Sequence, residues 1–391
     1  MSATLLVAIA TVGVFYMIKF LLAVKKYRRF CDLVKKFPQD PSHPFWGHLF
    51  QARLGDYARR DEYFEVYSTI KKFSFDVILK CAFSYDADCQ REGDPHYYVQ
   101  AVQSLSEMVS IRVLKPWLQS DFIYSLTAAG RKFFKTCRLV HKVADDVIRK
   151  RKQLLTIRPR RKNVLDFLDI LLTAKDENGE GLTSEEIRDE VDTFLAAGEG
   201  TTASTISWTM YSLAQHPDIQ ATCQEEIDEL FKGRETDEVL WEDLSRLPYL
   251  SMCIKEGLRL HSPIPFIYRQ LSQDLELDGF IAPKGVIVCI ALYNIHHNPK
   301  VWEDSLEFRP ERFTEENMKS RSPYAFIPFS AGKRNCIGQN FAMDQMKLAL
   351  ARILHRFTLV LDPDHKVEKV EHITMSTKTG IKMKAIPRKP V

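Results

Sequence analysis

Residues 329–338, FSAGKRNCIG, surround one thiol with the groups that a metal-bound sulfur needs. Gly332 and Gly338 allow the backbone to approach a flat ring and the sulfur closely. Backbone N–H groups after Cys336, and the positive end of a helix that apolar periodicity predicts just beyond it, stabilise a thiolate. Such a thiolate can be the axial ligand of a haem iron. A buried structural thiol is the alternative, since that is the commoner role of a lone cysteine.

The composition indicates a globular protein with a sizeable core. The chain has 391 residues, of which 45% are hydrophobic and 27% charged, which suits one large or two medium domains and excludes a disordered or fibrous class. A net charge of +4 without a basic cluster in the body of the chain predicts no nucleic-acid partner. The eight cysteines form no C-x-x-C pair and favour a reducing compartment.

The N-terminal segment is long and apolar enough to cross a bilayer. Residues 3–24 contain only Thr4, Thr11 and Lys19 as polar residues, and a cluster of lysines and arginines follows. Positive flanks resist translocation, so the body of the chain should face the cytosol. We therefore predict a membrane anchor with its flank at residues 1–29 and a proline-rich connector at 30–48. A cleaved signal peptide and a buried core helix are the alternatives.

Hydrophobic periodicity predicts a mainly α fold with small β-sheets. Predicted helices cover residues 63–86, 97–108, 128–153, 166–173 and 184–216. Thr183 and Glu186 fit a capping box at the start of the last and longest helix. Predicted strands cover residues 264–271, 285–291, 357–361, and a piece at 373–386 that folds about residues 378–380.

The cysteine segment resembles the F-x-x-G-x-R-x-C-x-G signature of the cytochromes P-450, which are haem-thiolate monooxygenases. The resemblance begins at about Tyr63 and implies the fold of that family. It implies a haem b whose iron is bound by the Cys336 thiolate, with Phe329 covering the sulfur side. Arg334 and Arg269 would hold the two haem propionates. For Arg269, an exposed strand cation is the alternative.

Two further segments resemble the family and predict a charge network around the cysteine loop. Glu256 and Arg259 are spaced at i and i+3, which by itself indicates only a solvated surface pair. The segment FRPERF at residues 308–313 resembles the P-x-R-F segment of the family. The resemblance implies that Glu256, Arg259 and Arg312 form a buried network. Such a network costs desolvation energy and mainly specifies geometry.

Residues 197–202, AGEGTT, resemble the A-G-x-D/E-T-T segment of the oxygen-activating helix. Thr201 keeps the alcohol position, so it is the predicted catalytic residue for proton delivery. The acid expected before it is replaced by Gly200, and a carboxylate stands one residue earlier at Glu199, about 100° around the helix. The two glycines could open a kink beside the haem, or serve as packing residues.

Several segments resemble family four, the fatty-acid and eicosanoid hydroxylases: residues 44–48, 166–172, 181–193 and 295–299. Many members carry a glutamate that esterifies the haem, and Ala197 stands at that position, so the haem should be non-covalent. The resemblance implies a lipophilic substrate, electrons from NADPH through a flavoprotein reductase, and an endoplasmic reticulum membrane location with a cytosolic catalytic domain at residues 49–391. Residues 263–266 and 376–380 either line the substrate pocket or are ordinary core and turn.

A large part of the family pattern is missing near the N-terminus. Only residues 49–61 stand where the family has roughly a hundred residues, among them a W-x-x-x-R helix. None of the five tryptophans is followed by an arginine four residues later. An internal deletion before about Tyr63 is therefore expected. Two alternatives to a monooxygenase stay open: a truncated non-catalytic isoform, and a peroxide isomerase or dehydratase that needs no reductase.

Overall fold

Long α-helices form most of the computed structural model, which describes residues 57–58, 61–85, 89–90, 97–157, 165–234 and 238–388. The helices are α1 Val66–Phe83, α2 Tyr97–Val113, α3 Asp121–Leu126, α4 Ala128–Ile157, α5 Phe167–Thr173, α6 Ser184–Gln215, α7 Pro217–Phe231, α8 Pro248–His261, α9 Leu292–His296, α10 Glu315–Lys319 and α11 Gln339–Arg356. The predicted mainly α fold with small sheets is confirmed. The predicted anchor and connector lie outside the described residues. Within the described part, no helix combines the length and hydropathy needed to span a bilayer.

Small antiparallel sheets are attached to the helices. The strands are β1 Phe64–Glu65, β2 Phe266–Gln270, β3 Leu275–Leu277, β4 Phe280–Ala282, β5 Ile287–Ala291, β6 Phe357–Leu361, β7 Lys369–Glu371, β8 Met375–Thr377 and β9 Lys382–Pro387. They form one three-stranded sheet, β1-β9-β6, and the pairs β2-β5, β3-β4 and β7-β8.

Helix α6 lies at the centre of the described fold and contacts α1, α4, α7, α8 and α11. Its start is fixed by the predicted capping box: the Glu186 backbone N–H donates to Thr183 Oγ1 at 3.2 Å, and the Glu186 carboxylate accepts from the Thr183 N–H at 2.8 Å. The helix continues through Gly198 and Gly200, so the glycines do not end it. Most of its second half is buried, with Trp208 fully enclosed and stacked on His261 of α8.

The prediction that residues 373–386 form one piece folded on itself was wrong. Strand β8 pairs with β7, with Thr377 opposite Lys369, whereas β9 pairs with β6 and β1. The change of sheet occurs at Gly380, whose φ of 79° is left-handed. A Cβ there would lie 2.8 Å from Glu65 Cγ, and the Glu65 carboxylate accepts the Ile381 N–H at 3.0 Å. Contact with Glu65, distant in sequence, therefore directs β9 into the other sheet.

The β3-β4 hairpin is an element that the sequence analysis missed. Asp278 and Gly279 connect its strands with φ values of 48° and 83°. Two consecutive left-handed residues match the twist of a two-residue hairpin, and Asp-Gly between apolar runs is its usual sequence signal.

Candidate active site

Cys336 lies in a loop that closes on itself just before α11. Its backbone N–H donates to the Phe329 carbonyl at 2.9 Å. Ser330 and Gly332 have left-handed φ values of 62° and 76° and turn the chain back between these two residues. The Cys336 residue is exposed, whereas Cys223 is fully buried among apolar side chains. Cys336 is therefore not enclosed in the core as Cys223 is, which does not fit a buried structural cysteine.

A backbone N–H and the start of a helix lie beside the Cys336 sulfur. Partial desolvation raises the pKa of the Cys336 thiol, and a hydrogen bond from the Gly338 N–H opposes this rise. A Cβ at Gly338 would lie 3.9 Å from Sγ, so the backbone passes close to the sulfur. Helix α11 begins at the next residue, so its positive end lies at the same side. This donor set fits a thiolate that completes its coordination with a metal cation.

Three other predicted cofactor residues lie on or beside this loop. Phe329 is half-buried and packs against the hydrophobic core. Arg269, on β2, donates from Nη2 to Ser330 Oγ at 3.4 Å, which brings its guanidinium to the cysteine loop. Arg334 is exposed and has no hydrogen bond or ion pair with the described residues. Their contacts with a haem stay a prediction, because propionate binding depends on the cofactor itself.

Glu256, Arg259 and Arg312 meet in one buried network. The Arg259 guanidinium donates to both Glu256 oxygens, at 2.7 and 2.8 Å, and Arg312 Nε donates to Glu256 Oε1 at 3.2 Å. Arg259 also donates to the carbonyls of His296 and Ser305, at 2.9 and 2.7 Å. The network therefore joins α8 to the segments around α9 and residues 304–312. Its effect on the cysteine loop stays a prediction.

The AGEGTT segment of α6 presents different groups to its two sides. Thr201 is half-buried, and its hydroxyl donates to the Ala197 carbonyl at 2.8 Å. Glu199 is only 1% exposed, and its carboxylate lies among groups of α1 and α2. Burial raises the pKa of Glu199 to about 7, against a lowering influence of Lys71. The displaced carboxylate is therefore enclosed near α1 instead of replacing the missing acid beside Thr201.

The two glycines of α6 differ in the space that is available for a side chain. A Cβ at Gly198 would lie 2.8 Å from Ile78 Cγ1, so a side chain there meets α1. At Gly200 it would lie 3.8 Å from Thr374 Cγ2 and 3.9 Å from Thr374 Oγ1, which are ordinary contact distances. Position 200 therefore has room for a Cβ, which the acid expected by the family pattern would need.

Sequence reasoning missed the residues that surround Glu199 and those that link the charge network to the cysteine loop. Lys71 and Tyr67 face Glu199 from α1, and no motif distinguishes them from other residues of an amphipathic helix. His296 belongs to the segment 295–299, which resembles family four, but the resemblance assigned it no role. Its ring contacts become visible only in the folded chain.

Comparison with known proteins identifies the family of the chain. The model of the family described as cytochrome P450 matches residues 41–385. The chain belongs to the cytochrome P450 family. Cytochrome P450 4F6 of Rattus norvegicus is 45% identical over 332 residues, covering 83% of this chain and 61% of the relative. Leukotriene-B4 omega-hydroxylase 3 of Mus musculus is 44% identical over 347 residues, covering 86% and 65%.

Solved cytochrome P450 structures share the fold. The crystal structure of the cytochrome P450DA heme domain superimposes with a TM-score of 0.76 at 27% sequence identity, over 92% of this chain and 76% of that one. Cytochrome P450 4F2 of Homo sapiens, 47% identical over 310 residues, is covered over 59% of its length. The chain thus spans about three fifths of the length of several curated cytochrome P450 relatives.

Proposed function

We propose that this cytochrome P450 chain is a haem-thiolate monooxygenase that inserts one oxygen atom from O2 into a lipophilic, fatty-acid-like substrate. Electrons would come from NADPH through a flavoprotein reductase. The observation that carries the proposal is the closed loop of Cys336, an exposed residue whose thiol accepts the Gly338 N–H at the start of α11. When bound, haem b supplies the iron and porphyrin chemistry that activates O2.

The residues of the loop suit the binding of that cofactor. The Cys336 thiolate would ligate the iron, and the Gly338 N–H would limit the charge on the sulfur. Arg269 already contacts the loop, and the Arg334 guanidinium bonds none of the residues that the structure describes, so both guanidiniums can pair with propionates. Phe329 would shield the sulfur side from water. Glu256, Arg259 and Arg312 would hold the surrounding backbone in place.

Proton delivery would depend on Thr201. Its hydroxyl now donates to Ala197 and can rotate to pass a proton at Oγ1 toward the reacting oxygen. The described residues place no carboxylate beside it, since Glu199 is enclosed near α1 and position 200 is glycine. Water must therefore supply the proton to Thr201.

The side of α6 near Thr201 suits a lipophilic substrate. Ala196 and Ala197 are exposed and small, and Ile373, beside the Thr374 that contacts Gly200, is 49% exposed. Exposed apolar groups around a reactive centre favour an apolar substrate. The name leukotriene-B4 omega-hydroxylase borne by one relative supports an eicosanoid or fatty acid. The apolar, base-flanked N-terminus supports attachment to the endoplasmic reticulum membrane with a cytosolic catalytic domain.

The decisive experiment compares Cys336→Ser with Cys137→Ser, which changes a half-buried cysteine on α4. The reduced, carbon monoxide-treated parent and Cys137→Ser should both show the red-shifted Soret band of thiolate-ligated haem. Cys336→Ser should lack this band and lose turnover. A parent without the band would instead support a truncated, non-catalytic isoform.

A second candidate function follows from the missing acid. Glycine at position 200 favours an isomerase or dehydratase that rearranges a fatty hydroperoxide and needs no protons from outside. The two candidates differ in their electron demand. Product formation from a fatty acid should require reductase and NADPH, whereas equal turnover of a hydroperoxide without them would identify the isomerase.

A further inference from the structure

His296, at the end of α9, is a fully buried histidine that the proposed chemistry does not use. Its Nε2 accepts the backbone N–H of Ile327 at 3.1 Å, and its Nδ1 lies 2.9 Å from Ser262 Oγ. Because a backbone amide nitrogen can only donate, Nε2 carries no proton. The proton is therefore on Nδ1 and is donated to Ser262. The Ser262 hydroxyl in turn donates to the Arg259 carbonyl at 3.2 Å.

The backbone of the same histidine is tied to the charge network. Arg259 Nη1 donates to the His296 carbonyl at 2.9 Å while the rest of the guanidinium holds Glu256. His296 is therefore hydrogen-bonded to Arg259 in two ways: its ring through the Ser262 hydroxyl, and its carbonyl directly. Burial lowers the pKa of His296 to about 3, so the ring stays neutral and keeps its acceptor.

Ile327 lies at the entrance to the cysteine loop. Its carbonyl accepts the N–H of Ser330 at 3.0 Å, and the next turn is closed by the bond from the Cys336 N–H to the Phe329 carbonyl. The N–H of Ile327 points the other way, to His296. A continuous series of hydrogen bonds therefore runs from Arg259 through Ser262 and His296 to the loop.

We propose that His296 is a positioning residue that fixes the cysteine loop against the Glu256–Arg259 network through the N–H of Ile327. It touches neither the sulfur nor a substrate, so its effect is on where Cys336 is held. The proposal rests on the proposed function only in taking Cys336 as the haem ligand. Loss of the acceptor would leave the part-buried N–H of Ile327 without this partner and free the entrance of the loop to shift.

The test compares His296→Gln with His296→Phe in the full-length, haem-loaded protein. Glutamine can place an oxygen near the position of Nε2, whereas phenylalanine keeps the ring volume without an acceptor. His297→Gln is the matched control, because the neighbouring ring is half-buried and its Nδ1 bonds the Tyr293 carbonyl instead of the cysteine loop. One measurement is hydrogen exchange of the Ile327 amide, and the other is the fraction of reduced, carbon monoxide-bound haem that keeps the thiolate band.

His296→Phe should speed exchange at Ile327 by about ten-fold or more, the effect of losing one buried hydrogen bond. It should also convert part of the haem to the form without the thiolate band, at equal total haem. His296→Gln and His297→Gln should stay near the parent in both measurements. The proposal would be overturned if the Ile327 amide of His296→Phe exchanged at the rate of the parent. It would also be overturned if His297→Gln changed the two measurements as much as His296→Phe does.

Ser262→Ala keeps the test open if His296→Phe fails to fold. Removing the hydroxyl frees the ring to turn or change tautomer, so exchange at Ile327 should again rise, by a smaller factor. If hydrogen exchange of the Ile327 amide is unchanged in Ser262→Ala, the hydrogen bonds from Arg259 through Ser262 and His296 do not hold the loop. The exchange measurement does not depend on the thiolate band, so a parent without that band would refute the proposed function and leave the His296 result to be judged separately.

Discussion

The position of Glu199 on the buried side of α6 changes the pKa of its carboxyl. It is enclosed near α1, and Lys71, whose ammonium donates to Gln103 at 3.2 Å, is the cation that opposes the effect of its burial. Among the residues that the structure describes, Glu199 Oε1 has no hydrogen-bond partner. Because ionisation there would place a charge in a poorly solvated site, the neutral form is favoured up to about pH 7.

The pH dependence of stability should reveal this carboxyl. Its pKa is about 7 in the folded chain against 4.5 for the free side chain, so its protonated form stabilises the fold below pH 4.5 and this stability is lost as pH rises through 7. The loss is about 3 kcal/mol by linkage. The midpoint temperature of unfolding should therefore change less with pH in Glu199→Gln than in the parent, between pH 5 and about 8.

Thermal unfolding over this pH range measures the difference between the parent and Glu199→Gln. Glu190→Gln, an exposed position on the same helix, is the control and should follow the parent. If Glu199→Gln also follows the parent, the carboxyl is ionised throughout and the burial argument is wrong.

Gly200 provides a second test at the scale of one residue. Gly200→Asp should fold, because its Cβ meets Thr374 only at contact distance. If the proposed monooxygenase is limited by the missing acid, this variant should form several-fold more product per NADPH consumed and less hydrogen peroxide. Gly200→Asn has the same shape without the acid and should resemble the parent. Equal gains in both variants would mean that the acid is not the cause.

At the scale of elements, the close contact of α8 with α6 depends on Gly257. A Cβ there would lie 2.4 Å from Thr209 Oγ1, and both helices are buried at this point. Helix α8 also carries Glu256 and Arg259, so the distance between the helices sets the position of the charge network. A displacement of α8 would therefore reach the network and, through it, the cysteine loop.

Gly257→Ala should cost about 1–3 kcal/mol of unfolding free energy, because a close-packed core resists the added methyl group. Thr209→Ala removes the opposing hydroxyl, so the double variant should be less destabilised than the sum of the two single variants. Chemical denaturation of the four proteins gives this coupling. Strict additivity would show that the helices separate without strain at this contact.

At the scale of the whole molecule, the C-terminal residues close the described fold. The Arg388 guanidinium binds the Asp228 carboxylate of α7 at 2.6 Å and the Leu354 carbonyl of α11 at 2.8 Å. Arg388 is thereby joined to two helices of the core. Attachment of this body to a membrane would rest on residues outside the described part.

Removal of residues 2–29 should weaken membrane attachment, because the apolar run and its basic flank would be lost together. Alkaline extraction of membranes from cells that express each form measures this, with the full-length protein expected in the pellet. A matched variant with Lys25, Lys26, Arg28 and Arg29 changed to glutamine keeps the apolar run and should stay in the pellet. Full retention of the shortened protein would contradict the anchor prediction.

Local sequence by itself determined helices α1, α2, α4, α5 and α6, the cap at Thr183 and the loop around Cys336, because each depends on residues close together in the chain. It did not reveal α3, α7, α9 and α10. Family resemblance added the pairing of Glu256 with distant Arg312. The tertiary structure alone decided that β8 and β9 enter different sheets, that Glu199 is enclosed near α1, and that His296 binds Ile327. These outcomes depend on contacts between residues far apart in sequence, whose energies no local pattern contains.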